Sequence, residues 1–350
     1  MLVCVSVVLL YICICADAFQ LHFGECPVYF YERCTHTESV KFVLSTKTNN
    51  ETEFFILDPL NPELPKHFNR LIPLKIVVHG YGGLDIDFST ATVIETYEEV
   101  GYNVITVDWQ PLAQVPCYAT AYMKTWHVAQ CLSILVVSLM PLGINPKLIH
   151  VVGFSLGAHV SGLAGNNLQK VLGKSFYRIT GLDPALPFFA TLSNDWKLDK
   201  TDADFVDVIH TSSGTFGKLE ATGHVDFYVN GGVLQPACLS KKYPPLCSHI
   251  MAGLYFAESI KSSVYGGKSF IARQCENIVH YFLGLCDDTQ KLTVMGENAY
   301  YLTRGTFFLE TNDKAPYALG FKSSYFKNGR LNPNKTSTDN CSKNDVNTLC

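Results

Sequence analysis

The stretch LIHVVGFSLGA, residues 148 to 158, decides the fold. Its apolar start predicts a buried strand over Leu148–Phe154, and the apolar spacing after it predicts a helix over Ala158–Leu172. Between them stands Gly153-Phe154-Ser155-Leu156-Gly157. A serine on a tight strand-to-helix turn has a strained backbone that projects its hydroxyl above the sheet edge. A chance motif in a loop would not lie between a buried strand and a helix, so we predict Ser155 as a nucleophile.

Strand-like runs recur on both sides of this turn. They are Val40–Ser45, Glu53–Leu57, Lys75–His79, Asn103–Trp109, Tyr177–Leu182, Phe205–Thr211 and Val225–Val229. Helical spacing also covers Ala121–Met140 and Ile250–Ile260. Near-continuous apolar strands that alternate with helices are typical of a sheet covered on both faces. The predicted fold class is therefore α/β: a doubly wound, mostly parallel sheet with helices on both faces, as in the α/β-hydrolase fold.

A serine nucleophile needs a base and an acid that orients the base, and in this fold they follow in the order Ser, Asp, His. Asp183 ends a predicted strand before Pro184, which places the carboxylate at the carboxyl edge of the sheet, although an ordinary Asp-Pro turn is the alternative. The histidines after it are His210, His224, His249 and His280. His249 follows Cys247 on a predicted loop just before a helix. Position along the chain favours His249 but leaves the other three open.

The oxyanion that forms during acyl transfer needs two backbone N–H donors. One is predicted to be the amide of Leu156, directly after the nucleophile. The other is predicted in the segment His79-Gly80-Tyr81-Gly82-Gly83, from the amide of Tyr81. A plain turn at these glycines is the alternative interpretation.

Composition and the two ends of the chain predict an extracellular protein. The 350 residues are 47% hydrophobic and 17% charged, with a formal net charge of −4 that gives no reason to expect a nucleic-acid partner. Residues 1–18 read as a signal peptide that ends in Ala16-Asp17-Ala18, with a membrane anchor as the alternative. Residues 19–325 are predicted to be the catalytic domain and 326–350 a polar tail. Glycosylation is predicted at the sequons of Asn50, Asn334 and Asn340.

Cysteine usage agrees with secretion. Three of the 13 cysteines lie within residues 1–18, and the remaining ten predict five disulfides. Proximity along the chain favours the pairs Cys117–Cys131, Cys238–Cys247 and Cys275–Cys286, and leaves Cys26, Cys34, Cys341 and Cys350 unassigned. No Cys-x-x-Cys occurs after residue 18, which argues against a cysteine metal site.

At these residues the chain resembles the pancreatic lipase family of neutral lipases and phospholipases A1, especially its insect members. The segments that carry the resemblance run in the family's order: His79-Gly80-Tyr81, Val107-Asp108-Trp109, Gly153–Gly157, Gly181–Ala185, Phe205–Thr211, Gly223–Tyr228 and Cys247-Ser248-His249. The resemblance implies that Asp183 is the acid and His249 the base. It also implies that Cys238 and Cys247 bracket a lid over the active site.

Lid length bears on the substrate class. Only eight residues separate Cys238 from Cys247, and the loop Ser212–Thr222 is short as well. In the family, triacylglycerol lipases tend to have longer segments here, so the resemblance favours a phospholipase A1 that cleaves the sn-1 ester. A triacylglycerol lipase and a catalytically silent lipid-binding or storage relative are the alternatives.

The predicted partner is therefore a phospholipid or acylglycerol at a lipid interface, contacted through Tyr243, Leu246 and Phe216 at the cleft mouth, with ordinary loop positions as the alternative. We expect neither the family's colipase-binding domain nor an oligomer. Pancreatic lipases carry a structural calcium near the segment matching Trp196–Asp202. Asp199 and Asp202 are present, but Asn194 stands where an acidic ligand would be. We therefore predict no metal and no cofactor.

Overall fold

The computed structural model describes most of the chain between residues 39 and 321. The described residues are 3–7, 10–14, 20–23, 25–29, 34, 39–48, 51–84, 87–190, 193–286, 291–321, 326–327 and 330–331. The sequon asparagines Asn50, Asn334 and Asn340, the cysteines Cys341 and Cys350, and the predicted cleavage site at residues 16–18 lie outside them.

An eleven-stranded sheet forms the centre of the molecule. Its strands are β1 Lys41–Thr48, β2 Glu51–Leu57, β3 Leu74–Val78, β4 Asn103–Asp108, β5 Ile149–Phe154, β6 Phe176–Leu182, β7 Ala203–His210, β8 Val225–Val229, β9 Phe270–Gln274, β10 Leu292–Met295 and β11 Gly305–Leu309. Their order across the sheet is β10-β9-β11-β8-β7-β6-β5-β3-β4-β1-β2. The run from β11 to β4 is parallel throughout, and antiparallel strands flank it on both sides.

Two helices cover each face of the sheet. The helices are α1 Phe88–Glu99, α2 Tyr118–Leu139, α3 Leu156–Leu172, α4 Pro244–Tyr265 and the short α5 Ile278–Phe282. Buried side chains of α2 and α3 share one core with the sheet, and those of α1 and α4 share the other. By length and composition α2 could cross a membrane, but half of its most apolar window is buried inside the molecule. Packing against α3 accounts for this composition.

The predicted doubly wound, mostly parallel sheet of the α/β-hydrolase fold is confirmed, and each of the eight predicted strands corresponds to one of β1–β8. Three strands, β9 to β11, and two helices, α1 and α5, escaped the sequence analysis. Helix α1, for example, is rich in Thr and Ser and its apolar side chains do not follow one clear stripe. Three short antiparallel strand pairs lie outside the main sheet: Val3–Val7 with Leu10–Ile14, Gln20–Phe23 with Cys26–Tyr29, and Phe326–Lys327 with Arg330–Leu331.

The disulfides correct one predicted pair. Cys117 bonds Cys26 and Cys131 bonds Cys34, so the predicted pair Cys117–Cys131 is wrong. Cys117 precedes α2 and Cys131 lies fourteen positions further along it, about 20 Å apart at the rise of a helix, which no disulfide can bridge. Both bonds instead tie the N-terminal segment to α2. The two remaining pairs form as the sequence analysis expected: Cys238–Cys247 and Cys275–Cys286.

Candidate active site

Ser155 lies on the turn between β5 and α3, at the carboxyl edge of the parallel strands. Its φ and ψ of 55° and −118° are outside the regions that L-residues ordinarily adopt, as expected for a strained turn that projects a hydroxyl. Gly157 packs against the backbone of Val78 and His79, and Gly153 packs against Gly157 and Ser161. A side chain at either glycine would collide with backbone, which explains why this turn needs both.

The segment after β3 passes directly beside this turn. A Cβ added to Gly80 would lie 2.9 Å from Cβ of Ser155, so only glycine permits the approach. The amides of Tyr81 and Leu156, the two predicted oxyanion donors, make no hydrogen bond within the part of the chain that the structure describes. Donors that a fold leaves unused next to a strained serine are available to an incoming oxyanion.

His79, which is fully buried, holds the peptide group that carries one of these donors. Its Nδ1 lies 2.8 Å from the carbonyl oxygen of Gly80, and its Nε2 accepts the backbone N–H of Trp109 at 2.9 Å. The accepted N–H leaves Nδ1 as the protonated, donating nitrogen. Because the carbonyl of Gly80 and the N–H of Tyr81 belong to one planar peptide and point in opposite directions, this bond fixes the direction of the Tyr81 donor.

The aromatic ring of Trp109 completes this clamp. It stacks on the His79 ring with centroids 5.3 Å apart, and its Nε1 donates to the carbonyl oxygen of His79 at 2.9 Å. Asp108 Oδ1 lies 3.6 Å from His79 Nε2, beyond hydrogen-bonding distance. In the sequence, His79 belongs to the predicted oxyanion segment and Trp109 to a segment that carries the family resemblance, and only the structure shows that they pair across 30 positions.

Asp183 follows β6 and is fully buried. Its Oδ1 accepts the backbone N–H groups of Thr211 at 2.8 Å and Ser212 at 3.1 Å, while Oδ2 lies 2.6 Å from Nδ1 of His249. Gly217 packs against the carboxylate where a larger residue would not fit. These bonds orient the carboxylate and leave one oxygen for the imidazole.

His249 lies in the second turn of α4, not on a loop as the sequence analysis expected. The helix begins six positions earlier than predicted, at Pro244, because prolines fit the first helical turn, where N–H groups have no helical partner. The carboxylate of Asp183 can only accept, so Nδ1 of His249 carries the proton and Nε2 is free to act as a base.

The ring of His249 contacts two phenyl rings, with centroids 4.6 Å away for Phe154 and 5.6 Å away for Phe216. Phe154 directly precedes Ser155, which brings the serine and the imidazole to the same edge of the sheet. The structure describes no hydrogen bond of Ser155 Oγ with another residue. Such bonds are often long before substrate binds.

The other three histidines have different roles. His210 is buried, stacks on Tyr228 and bonds Asp226, whereas His224 accepts the backbone N–H of Val206. His280 lies on α5 next to Glu276 and is partly exposed. Of the four candidates, only His249 contacts Asp183.

The segment between the lid cysteines is a short loop that continues into the first turn of α4, just before the base. The Cys238–Cys247 disulfide closes it, Lys241 N–H donates to the carbonyl of Cys238 at 2.9 Å, and Ser212 Oγ donates to the carbonyl of Pro245 at 2.9 Å. Its apolar side chains Leu239, Tyr243 and Leu246 are exposed, as is Phe216.

A group of aromatic residues that was not predicted from the sequence extends from Tyr81. Tyr81 contacts Tyr118 edge to face at 5.1 Å, and the exposed Phe188 lies 5.9 Å from Tyr118 and 5.1 Å from Tyr122. Burial raises the pKa of the phenols of Tyr81 and Tyr118, which therefore stay neutral. This aromatic wall starts at the predicted oxyanion residue and can line an apolar chain. Its only sequence signal is the i, i+4 spacing of Tyr118 and Tyr122.

The calcium site that the resemblance implies lacks free ligands. Asp199 Oδ1 accepts the N–H and hydroxyl of Thr201, and Asp202 Oδ2 accepts the N–H of Asp199 at 2.8 Å. Asp195 pairs with a lysine of α3, and Asn194 is neutral. Within residues 194–202, Asp202 Oδ1 is the one buried side-chain oxygen without a hydrogen-bond partner, whereas calcium takes six to eight oxygen ligands. Burial raises the pKa of the Asp202 carboxyl well above its usual value.

Comparison with known proteins gives consistent matches. A protein-family model described as Lipase matches residues 19–317. The chain is 29% identical over 324 residues to phospholipase A1 member A of Bos taurus, covering 85% of this chain and 69% of that protein. It is 37% identical over 194 residues to lipase member H-B of Xenopus laevis, covering 54% of this chain and 40% of that protein.

Proposed function

Since the chain belongs to the lipase family, we propose that it is a secreted phospholipase A1 that cleaves the sn-1 acyl ester of phospholipids. It is a carboxylic ester hydrolase, and it is homologous to phospholipase A1 member A. The 2.6 Å hydrogen bond between His249 Nδ1 and Asp183 Oδ2, at the edge where Ser155 lies, supports the reaction most directly.

In the first half of the proposed reaction, Ser155 Oγ attacks the ester carbonyl carbon and its proton passes to Nε2 of His249. The carbonyl oxygen becomes an oxyanion that accepts hydrogen bonds from the backbone N–H groups of Tyr81 and Leu156. Asp183 holds the imidazolium by its Nδ1–H. When the carbon–oxygen bond to the glycerol breaks, the leaving oxygen takes the proton from Nε2, and the acyl group stays on Ser155.

In the second half, water attacks the acyl-serine ester and gives a proton to Nε2 of His249. Collapse of the second oxyanion releases the fatty acid and returns the proton to Ser155 Oγ. The products of one cycle are a lysophospholipid and a free fatty acid. The chain's own side chains perform every proton transfer.

The phospholipid preference is supported by the eight-residue lid and by the similarity to phospholipase A1 member A over 85% of the chain. A short lid leaves room above His249 for a polar head group. The four described disulfides fit an extracellular protein, because such bonds persist in oxidising compartments. The same proposal includes secretion with cleavage after Ala18, a monomeric state and the lack of a colipase partner.

A phosphatidylcholine with palmitate at sn-1 and oleate at sn-2 tests the proposal. The secreted protein should release mainly palmitate, Ser155→Ala should release almost none, and Ser263→Ala, at the far end of α4, should behave like the wild type. Predominant oleate release would reject a phospholipase A1. Strong preference for triolein would favour a triacylglycerol lipase, and no hydrolysis of either lipid would indicate a silent relative.

A further inference from the structure

The lid carries a positive charge that the proposed reaction does not use. Lys241 and Lys242 are both exposed on the loop between Cys238 and Cys247. From Phe227 to Ala257 the sequence contains no Asp and no Glu, and these two are its only lysines, although the whole chain has a net charge of −4. The lid is thus a local region of positive charge on an acidic protein.

The two lysines alternate with apolar side chains that also face solvent. Leu239 is 65% exposed, Tyr243 61% and Leu246 42%. The ammonium of Lys242 lies over the ring of Tyr243, 5.2 Å from its centroid. Lysine stems and tyrosine rings have an apolar body and a polar end, which suits them to the boundary between lipid head groups and acyl chains.

Bonds within the segment also hold its shape. The disulfide closes its base, and the bond from Lys241 N–H to the carbonyl of Cys238 holds its first turn. A loop that is already ordered loses less conformational entropy when it docks. Because α4 begins within this segment, at Pro244, and carries His249 in its second turn, docking here places the catalytic edge against the bound surface.

We propose that the lid segment Leu239–Leu246 docks the enzyme on lipid surfaces of net negative charge, with Lys241 and Lys242 contacting anionic head groups and Leu239, Tyr243 and Leu246 entering the acyl boundary. This rests on the proposed action on lipids, but it concerns the surface and not the ester that is cleaved. Salt screens exposed charges beyond about 8 Å at physiological ionic strength, so the lid lysines outweigh the distant net charge of −4.

Binding to vesicles that the enzyme cannot cleave tests this directly. Wild-type protein is sedimented with vesicles of diether phosphatidylcholine alone, or mixed with an equal part of diether phosphatidylglycerol. A lysine near an anionic surface strengthens binding about fivefold, so Lys241→Gln/Lys242→Gln should weaken binding to the mixed vesicles about thirtyfold. Binding of the wild type should also fall as salt rises.

The matched control is Lys47→Gln/Lys174→Gln, which removes the same charge from two exposed lysines at the opposite edge of the sheet. It should bind the mixed vesicles like the wild type. Equal binding of the wild type to both vesicles, equal losses in both double variants, or no loss in the lid variant would each overturn the proposal. Near-ultraviolet circular dichroism of both variants checks that they are folded.

The two proposals fail separately. Wild-type protein that binds anionic vesicles but cleaves no ester of a dispersed phospholipid would refute the proposed function and leave the docking surface intact. Wild-type protein that cleaves the sn-1 ester but binds both vesicles equally would refute the docking surface alone.

Discussion

Exchanging His79 for glutamine should lower kcat far more than exchanging it for asparagine. The asparagine amide reaches the position of Nδ1 and can still donate to the carbonyl of Gly80, whereas the glutamine amide reaches that of Nε2 and can only accept from Trp109. His79→Gln therefore releases the Gly80–Tyr81 peptide, and His79→Asn keeps it oriented.

The structure sets bounds on both effects. Each variant leaves one buried backbone group of the clamp without its partner, which costs about 1–3 kcal/mol of unfolding free energy in either case. Full loss of one oxyanion donor costs about 10²–10³-fold in kcat, which is the upper limit for His79→Gln. For His79→Asn we expect less than about tenfold. KM should change little in both variants, because the donor acts in the transition state.

Steady-state hydrolysis of a dispersed short-chain phosphatidylcholine gives kcat and KM, and urea unfolding gives the stability of each variant. Similar stability with a large loss of kcat only in His79→Gln would agree with a role in orienting the Tyr81 amide. Equal losses of kcat in the two variants, or a larger loss in His79→Asn, would refute it.

Three further changes have defined outcomes. Asp183→Asn should lower kcat about 10⁴-fold with the fold intact, because the imidazole of His249 would lose the carboxylate that orients it. The same substrate measures this change, and a loss under tenfold would contradict the assignment of Asp183 as the acid. Burial lowers the pKa of His159 from 6.5 to about 3, so the unfolded chain binds its proton first and the free energy of unfolding falls as pH drops from 6.5 towards 3. His159→Asn should reduce the loss of unfolding free energy between pH 7 and pH 4.5 by about 2–3 kcal/mol, and an unchanged loss in urea unfolding would contradict this. The raised pKa of Asp202 means that its ionisation destabilises the native state as pH rises above about 4, so Asp202→Asn should gain thermal stability at neutral pH relative to the wild type. A marked rise of the wild-type Tm with added calcium would contradict the prediction of no metal.

Local pattern determined the centre of this protein. The strand, the serine turn and the helix of residues 148–172 are consecutive, so apolar spacing and two glycines were enough to predict β5, the turn at Ser155 and all but the first two residues of α3. Asp183 was also predictable, because a carboxylate that follows a buried parallel strand lies at the carboxyl edge. Two helices were harder to predict from apolar spacing. Helix α1 was missed because its apolar side chains do not form a clear stripe, and α4 was predicted too short because it begins with two prolines.

Only the tertiary structure decided which distant residues meet. The sequence left four histidines open on position alone, and the choice of His249 follows from a bond across 66 positions to Asp183. Three other contacts depend in the same way on how the elements pack. They are the disulfide of Cys117 with Cys26, the hydrogen bonds of His79 with Gly80 and Trp109, and the aromatic contact of Tyr81 with Tyr118. Periodicity along a chain specifies which face of an element is buried, whereas contacts between elements are set by the sheet order and by the packing of helices onto it.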